Sequence, residues 1–550
     1  MYKFKYNILI AAIIFNFSNL IAQNNKIPPE KPKLVIAIIV DQMRYDYIFK
    51  YWNKFDNIGF KRLISEGTFY KNANQNYLFT QTGPGHATIF TGTTPSNHGI
   101  ISNEWYLRSK GEKVNCTGDA KVKTVGSNSE YGKMSPALLL TNTIGDELKL
   151  SNNKKSKVIG IAIKDRGAIL PAGHLANAAY WYDNKTGNWI TSSYYMDTLP
   201  SWVNQFNNKK LADFYLDRTW TTILPIKDYT ESLPDSNKYE KGFENKQITF
   251  PYNLVELSKK NKNEKDYSIL RYTPFGNTLT EDFAINTIIN EGLGKDEYTD
   301  FLSISFSSTD YIGHLFGNTS VEIEDTYLRL DKEIAHFLQF IDDYFKKENV
   351  LIFLTADHGC SYPPEYLIDS KTPSGIFKQY YYVALLKSYM NALYGEGDWI
   401  KYYGEQQVYL NHNLIEDSKL SLADVQTKVS QFLIQVTGIS NVLTSTTLEN
   451  TYFSDGIFQK MQNSFNQKRS GDILINLEPG WTLDNESSAD HNTSYSYDTH
   501  VPLIWYGWKI SRKSILKPVN LIDIAPTISM FLNIDFPDGN TGTPLYDILE

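Results

Sequence analysis

Lys33-Leu-Val-Ile-Ala-Ile-Ile-Val-Asp41 is the stretch from which the fold can be read. An unbroken aliphatic, largely β-branched run has no wet face, so it reads as a strand buried on both sides of a parallel sheet. It stops abruptly at an acid. The pattern recurs: Val158-Ile-Gly-Ile-Ala-Ile163 runs into Lys164, Phe301-Leu-Ser-Ile-Ser-Phe306 into Ser307, and Val350-Leu-Ile-Phe-Leu-Thr-Ala356 into Asp357. Val501-Pro-Leu-Ile-Trp-Tyr506 is a further candidate. Helical patterns lie between these strands, over Gly59–Glu66, Pro84–Thr91, Leu138–Leu150, Val321–Tyr344 and Leu521–Leu532. Buried strands alternating with helices predict an α/β fold, a doubly wound and mostly parallel sheet flanked by helices. Functional groups in such sheets gather at the carboxyl ends of the strands.

The 550 residues are 41% hydrophobic and 21% charged, a globular composition longer than one core usually organises. Two stretches break the alternation, at about 171–280 and about 362–490. Both are expected to be insertions forming a cap or small lobe over the active site, the second with a helix near Leu420–Val436. The 38 Tyr suit half-wet surfaces and pocket rims. Residues 1–22 have the basic start, apolar run and small residue of a signal peptide, with cleavage after Ala22 and the catalytic domain over 23–550. A single-pass anchor is the competing reading, and Asn16, Ser18 and Asn19 interrupt its apolar run. The chain is therefore expected in the periplasm or secreted, without a stable membrane anchor. A net charge of −7 with scattered Lys and Arg gives no footprint for nucleic acid. Cys116 and Cys360 permit one disulfide at most, and the sequence leaves their pairing open.

The chemistry sits at the strand ends: Asp41, Asp310 and His314 in Asp-Tyr-Ile-Gly-His, Asp357-His358-Gly359, and His491. Mixed carboxylate and imidazole is the donor set of a hydrolytic zinc site, and two ionisable groups directly after a buried strand need a partner to offset desolvation. Thr82, in Thr80-Gln-Thr-Gly-Pro-Gly-His86, precedes a helix and fits an N-cap. The same place presents free N–H groups to an anion, which suits a nucleophile that accepts a phosphoryl group. Lys164 and Arg166 alternate along what reads as a strand extension, which places both on one face. His86, His98, His174, His336 and His412 are assigned to packing or surface roles.

These motifs resemble the alkaline phosphatase superfamily, and within it the nucleotide pyrophosphatase-like branch that contains the large phosphate-irrepressible bacterial alkaline phosphatases. The resemblance rests on Val40-Asp-Gln-Met-Arg44, Thr82-Gly-Pro-Gly-His-Ala-Thr88, Pro95-Ser-Asn-His-Gly-Ile100, Ile101-Ser-Asn-Glu-Trp105, Lys164-Asp-Arg166, Asp310-Tyr-Ile-Gly-His314, Asp357-His-Gly359 and Tyr497-Asp-Thr-His-Val-Pro502. It implies one zinc on Asp310, His314 and His491, and a second on Asp41, Asp357 and His358 facing Thr82. One position is open to a harder cation such as Ca2+ or Mg2+. The family's usual His-Gly is here His491-Asn492, with His500 close behind and expected to be structural. The resemblance further implies that Asn103, Lys164 and Arg166 bind non-bridging phosphate oxygens.

The implied activity is hydrolysis of small phosphate monoesters through a phosphothreonine on Thr82, by a chain acting as a monomer. A sulfatase is disfavoured because His86 stands where that nucleophile motif has Arg. A phosphodiesterase of the same branch and a catalytically silent exported binding protein are the alternatives.

Overall fold

The structure, a computed structural model, describes residues 30–548 apart from 245, 262, 263, 485 and 486. The signal-peptide stretch 1–22 lies outside the described residues. Eight strands form the body of the main sheet: β1 (Leu34–Val40), β2 (Thr68–Asn74), β3 (Val158–Ala162), β4 (Ala178–Tyr182), β5 (Trp189–Ser192), β6 (Asp300–Phe306), β7 (Val350–Thr355) and β8 (His500–Gly507). Their spatial order is β2-β8-β7-β1-β6-β3-β4-β5, with short strands beyond β2 and β5 at the two edges. The pairs β7-β1, β1-β6, β6-β3 and β3-β4 are parallel. Every residue of β1, β6 and β7 is buried, as the uninterrupted apolar runs require. The mostly parallel α/β sheet flanked by helices is thus present.

Four helices matter for the site: α1 (Thr82–Thr91), α2 (Asp165–Ala172), α3 (Ser308–Phe316) and α4 (Val321–Tyr344). The last has the bounds read from its periodicity. The helix expected over 138–150 begins only at Ile144, because Thr143 and Asp146 form a reciprocal capping box there, which satisfies free N–H groups and fixes the start. The strand at 501–506 exists, but it runs antiparallel to its neighbours β7 and β2.

The segment 171–280 does not lie wholly above the sheet. Its aromatic hairpin, β4 and β5, extends the sheet itself, since Tyr180, Trp181, Tyr182 and Trp189 fill both faces and are at most 3% exposed. Several of the tyrosines read as rim residues are in the core, Tyr252 and Tyr327 among them. Within 362–490, the strands Ile400–Gly404, Gln407–Leu410, Ile473–Leu477 and Ile439–Thr444 pair antiparallel in that order. They pack with the helices Gln379–Tyr394 and Leu422–Leu433 around a second core that includes Leu386, Met390, Val408, Val429, Leu433 and Ile475. Cys116 and Cys360 are both buried and free.

Candidate active site

Sheet order builds the site. Adjacent strands lie about 4.8 Å apart, so the carboxyl ends of β7, β1, β6 and β3 set Asp357, Asp41, Asp310 and Lys164 side by side. Asp41 directly follows β1, and Asp357 follows β7 after Ala356. Asp310 and His314 sit on α3 one turn apart, so both face the same way. His358 follows Asp357, and His491 arrives on the loop before β8.

The side chains converge. Asp41, Asp357 and His358 offer ligand atoms all within 4.8 Å of one another. So do Asp310, His358 and His491, and His314, Asp490 and His491. The six sequence-derived ligands therefore form one continuous patch, with His358 and His491 each shared between two groups and Asp490 added. Asp310 Oδ1 lies 3.2 Å from His314 Nε2 and 3.7 Å from His491 Nε2. The His358 and His491 rings stack at 3.8 Å.

The donor chemistry fits a metal. His314 Nδ1 is 2.9 Å from the Ala489 carbonyl, His358 Nδ1 2.9 Å from that of Gly359, and His491 Nδ1 2.6 Å from that of Thr80. A carbonyl only accepts, so each ring donates through Nδ1 and turns Nε2 toward the patch; at His358 and His491 that Nε2 is the lone pair of a neutral imidazole, while at His314 it meets the Asp310 carboxylate. Asp41 Oδ1, Asp357 Oδ2 and His358 Nε2 are buried without a hydrogen-bond partner, an arrangement whose desolvation cost a cation offsets.

The electrostatics follow from crowding. Burial, then the neighbouring Asp357, pushes Asp41 well above the ordinary carboxylate range. Burial acts upward on Asp310 too, but Lys164 and His314 hold it well below that range. Burial pulls the imidazoles down, and this prevails at His358 and His491. At His314 the Asp310 carboxylate overcomes it and lifts the ring to about 9.

Thr82 is 1% exposed and occupies the first turn of α1, with Gln81 rather than Thr82 as the N-cap residue. Gly85 lets that helix touch β7: a Cβ there would lie 2.6 Å from the Asp357 carbonyl. Lys164 Nζ donates to Thr82 Oγ1 at 3.0 Å and pairs with Asp310 Oδ2 at 2.6 Å and Asp41 Oδ2 at 2.7 Å. Lys164 and Arg166 are not on a strand extension. Lys164 is the N-cap residue of α2 and Arg166 lies in its first turn, because β3 ends at Ala162. The two cations are close enough that Arg166 opposes the charge on Lys164. Asn103 Oδ1 accepts from Gly83 N at 2.8 Å, which leaves its Nδ2 as the free donor beside the nucleophile.

His500 lies apart, 2.9 Å from the Lys71 carbonyl and stacked on Tyr45 at 4.0 Å. Three participants escaped sequence reasoning. Gln42, with φ 65°, donates from its backbone to Asp357 Oδ1 and from Nε2 to Asp310 Oδ1, bridging the two halves of the patch. His86 is no mere packing residue: Nδ1 is 2.9 Å from the Thr82 carbonyl and 3.3 Å from Asp357 Oδ2, and Nε2 is 3.0 Å from Ser305 Oγ. Its helical spacing from Thr82 was the available signal. Asp490 was passed over as a flank of His491.

A constellation of this kind on this sheet defines a metal-dependent phosphoryl-transfer class. The family model of type I phosphodiesterases and nucleotide pyrophosphatases matches residues 35–501, and the chain belongs to that family. It is 42% identical over 553 residues to a Myroides odoratus protein named calcium-transporting ATPase, covering all of both chains. It is 40% identical over 534 residues to alkaline phosphatase PafA of Elizabethkingia meningoseptica, covering 96% of each. A crystal structure of wild-type alkaline phosphatase PafA matches with a TM-score of 0.90 at 39% identity, covering 96% of this chain and 100% of that one. A further structure of that enzyme carries substitutions at a threonine, an asparagine, a lysine and an arginine, in that chain order. Among the described residues, no helix is long and apolar enough to cross a membrane.

Proposed function

We propose that the chain is an alkaline phosphatase that hydrolyses small phosphate monoesters with Thr82 as nucleophile. The observation that carries this is Lys164, whose ammonium joins Thr82 Oγ1 to both halves of the Asp and His patch. Two divalent cations, zinc by the mixed imidazole and carboxylate donors, held by Asp41, Asp357 and His358 and by Asp310, His314 and His491, would supply Lewis acidity toward the Thr82 oxygen and the leaving oxygen.

The chain's own residues do the rest. Thr82 Oγ1 forms the bond to phosphorus in line as the ester oxygen departs, giving phosphothreonine and free alcohol. Water then attacks phosphorus from the vacated side, releasing inorganic phosphate and restoring Thr82. An oxygen on a phosphoryl group at Thr82 falls within reach of Lys164, and Asn103 Nδ2 and Arg166 complete the clamp. A monoester is a dianion near neutral pH, so paired cations favour it over a singly charged diester. The substituted positions in the PafA structure have the same residue types, in the same order, as Thr82, Asn103, Lys164 and Arg166, which supports these roles.

Residues 1–22 we read as an export leader, and 23–550 as a catalytic domain with the 362–490 lobe set into it, working as a single chain outside the cytoplasm. ATP hydrolysis shares the phosphoryl-transfer step, so the substrate is decided by rates. Turnover of p-nitrophenyl phosphate should exceed that of bis(p-nitrophenyl) phosphate and of ATP, vanish on chelation, return with zinc, and be lost in Thr82→Ala. A preference for the diester or for ATP, or metal-independent turnover, would overturn this function.

A further inference from the structure

Glu405 stands at the tip of the hairpin between Ile400–Gly404 and Gln407–Leu410. Both loop residues have positive φ, 51° at Glu405 and 56° at Gln406, in a two-residue turn of the hand usually given to Asn-Gly. Larger residues persist in that conformation only where the surroundings hold them, and such positions cluster at functional sites. Here both side chains reach from the lobe to the catalytic residues. Gln406 Nε2 donates to the Asn492 carbonyl at 2.8 Å, one residue from His491. Glu405 Oε2 accepts from Gln81 Nε2 at 2.5 Å and from Asn492 Nδ2 at 3.4 Å.

Gln81 immediately precedes Thr82. With its Nε2 committed to Glu405, its Oε1 accepts from Ser102 Oγ at 2.7 Å and from Asn103 N at 2.6 Å. Asn103 closes the circuit by accepting from Gly83 N. A carboxylate this near an anion site would repel substrate unless its charge were engaged, and Gln81 engages it.

We propose that Glu405 is a positioning residue for phosphate capture: it fixes the Gln81 amide, and through it holds Asn103 with Nδ2 facing the phosphoryl oxygens at Thr82. The lobe thereby sets one arm of the oxygen clamp. This rests on Asn103 being an oxygen ligand, and the test separates the two.

The test is p-nitrophenyl phosphate kinetics and inhibition by inorganic phosphate on the full chain, for Asn103→Ala, Glu405→Ala, Glu405→Gln and the Asn103→Ala/Glu405→Ala double variant. Glu405→Ala should lower kcat/KM and weaken phosphate inhibition, each about tenfold, the scale of one hydrogen bond to a charged group. On the Asn103→Ala background the further loss should be under about twofold, because the two act as a unit. Glu405→Gln keeps an acceptor for Gln81 and should restore most of both. Native kinetics in Glu405→Ala beside a crippled Asn103→Ala, or an undiminished tenfold loss on the Asn103→Ala background, overturns the proposal alone. Native phosphate inhibition in Asn103→Ala overturns the oxygen-ligand role and the proposal with it. Should Glu405→Ala fail to fold, Gln81→Met cuts the same link from its other end: it must show the same loss, and native behaviour there overturns the proposal.

Discussion

Strand β1 and the hairpin tip at Glu405-Gln406 deliver side chains to one cluster by different physics. Asp41 arrives because a strand buried on both faces ends beside two others that end in the same plane. Glu405 arrives because a lobe with its own core presents a strained turn. The sheet thus places the acids and Lys164 by a repeating rule, while the lobe reaches the residue before the nucleophile through Glu405.

If the sheet carries the chemistry, its ligands should outrank everything else. Asp41→Asn keeps the side chain's shape and should cost about 10⁴-fold in kcat/KM, with metal content of the purified protein falling in parallel and the fold retained by circular dichroism. A loss of activity with native metal content would break the ligand assignment.

The seam between the two regions should be acid-labile. His98 is buried, with Nε2 3.1 Å from Thr88 Oγ1 and Nδ1 accepting from Ile100 N at 3.1 Å. Burial, aided by the Arg469 guanidinium, pushes it down to about 3 from an ordinary 6.5. Between those pH values the unfolded chain binds a proton that the folded chain does not, so stability falls as pH drops through that window and is unaffected above it. The upper bound is about 5 kcal/mol. Denaturant midpoints between pH 7 and 3.5 should fall less steeply in His98→Gln, and equal slopes would remove this seam from the comparison.

Leu433→Ala in the lobe core should cost about 3 kcal/mol. Hydrogen exchange should quicken over residues 400–477 while β1 and β6 stay protected, and equal acceleration in both would show that they unfold as one. The smallest effect sharpens the clamp: Lys164→Ala should slow the monoester about tenfold more than the diester, and an equal slowing of both would show that Lys164 does not read the second charge.

What was legible follows the same division. The strands β1, β3, β6 and β7 were readable because complete burial leaves short apolar runs bounded by polar residues, and the helix α4 because its wetter positions recur at helical spacing over a long segment. The strand-end rule then gave Asp41, Asp357, His358, Asp310 and His314. The direction of β8 was not legible, since a buried run has the same composition in either direction. Lys164 and Arg166 were found, but strand alternation was the wrong reason: a helix begins at Asp165, and its first turn is too short to show a period. The lobe's strands were missed because 400–404 and 439–444 are partly exposed and mix polar with apolar residues, while the buried 407–410 and 473–477 are short and carry Gln407 and Asn476 among their apolar residues. Glu405, Gln42 and Asp490 act through contacts distant in sequence or hidden beside a named neighbour, and no local pattern marks them.

The central claim is that phosphorus passes through Thr82. Each in-line displacement inverts phosphorus, so the stereochemical course of hydrolysing, in isotopically labelled water, a thiophosphate monoester whose phosphorus is made chiral by sulfur and oxygen isotopes tests it directly. Two displacements, with a thiophosphorylated Thr82 between them, predict net retention in the inorganic thiophosphate. Net inversion would mean a single attack by water and would contradict the nucleophile, whatever the effect of Thr82→Ala on rate.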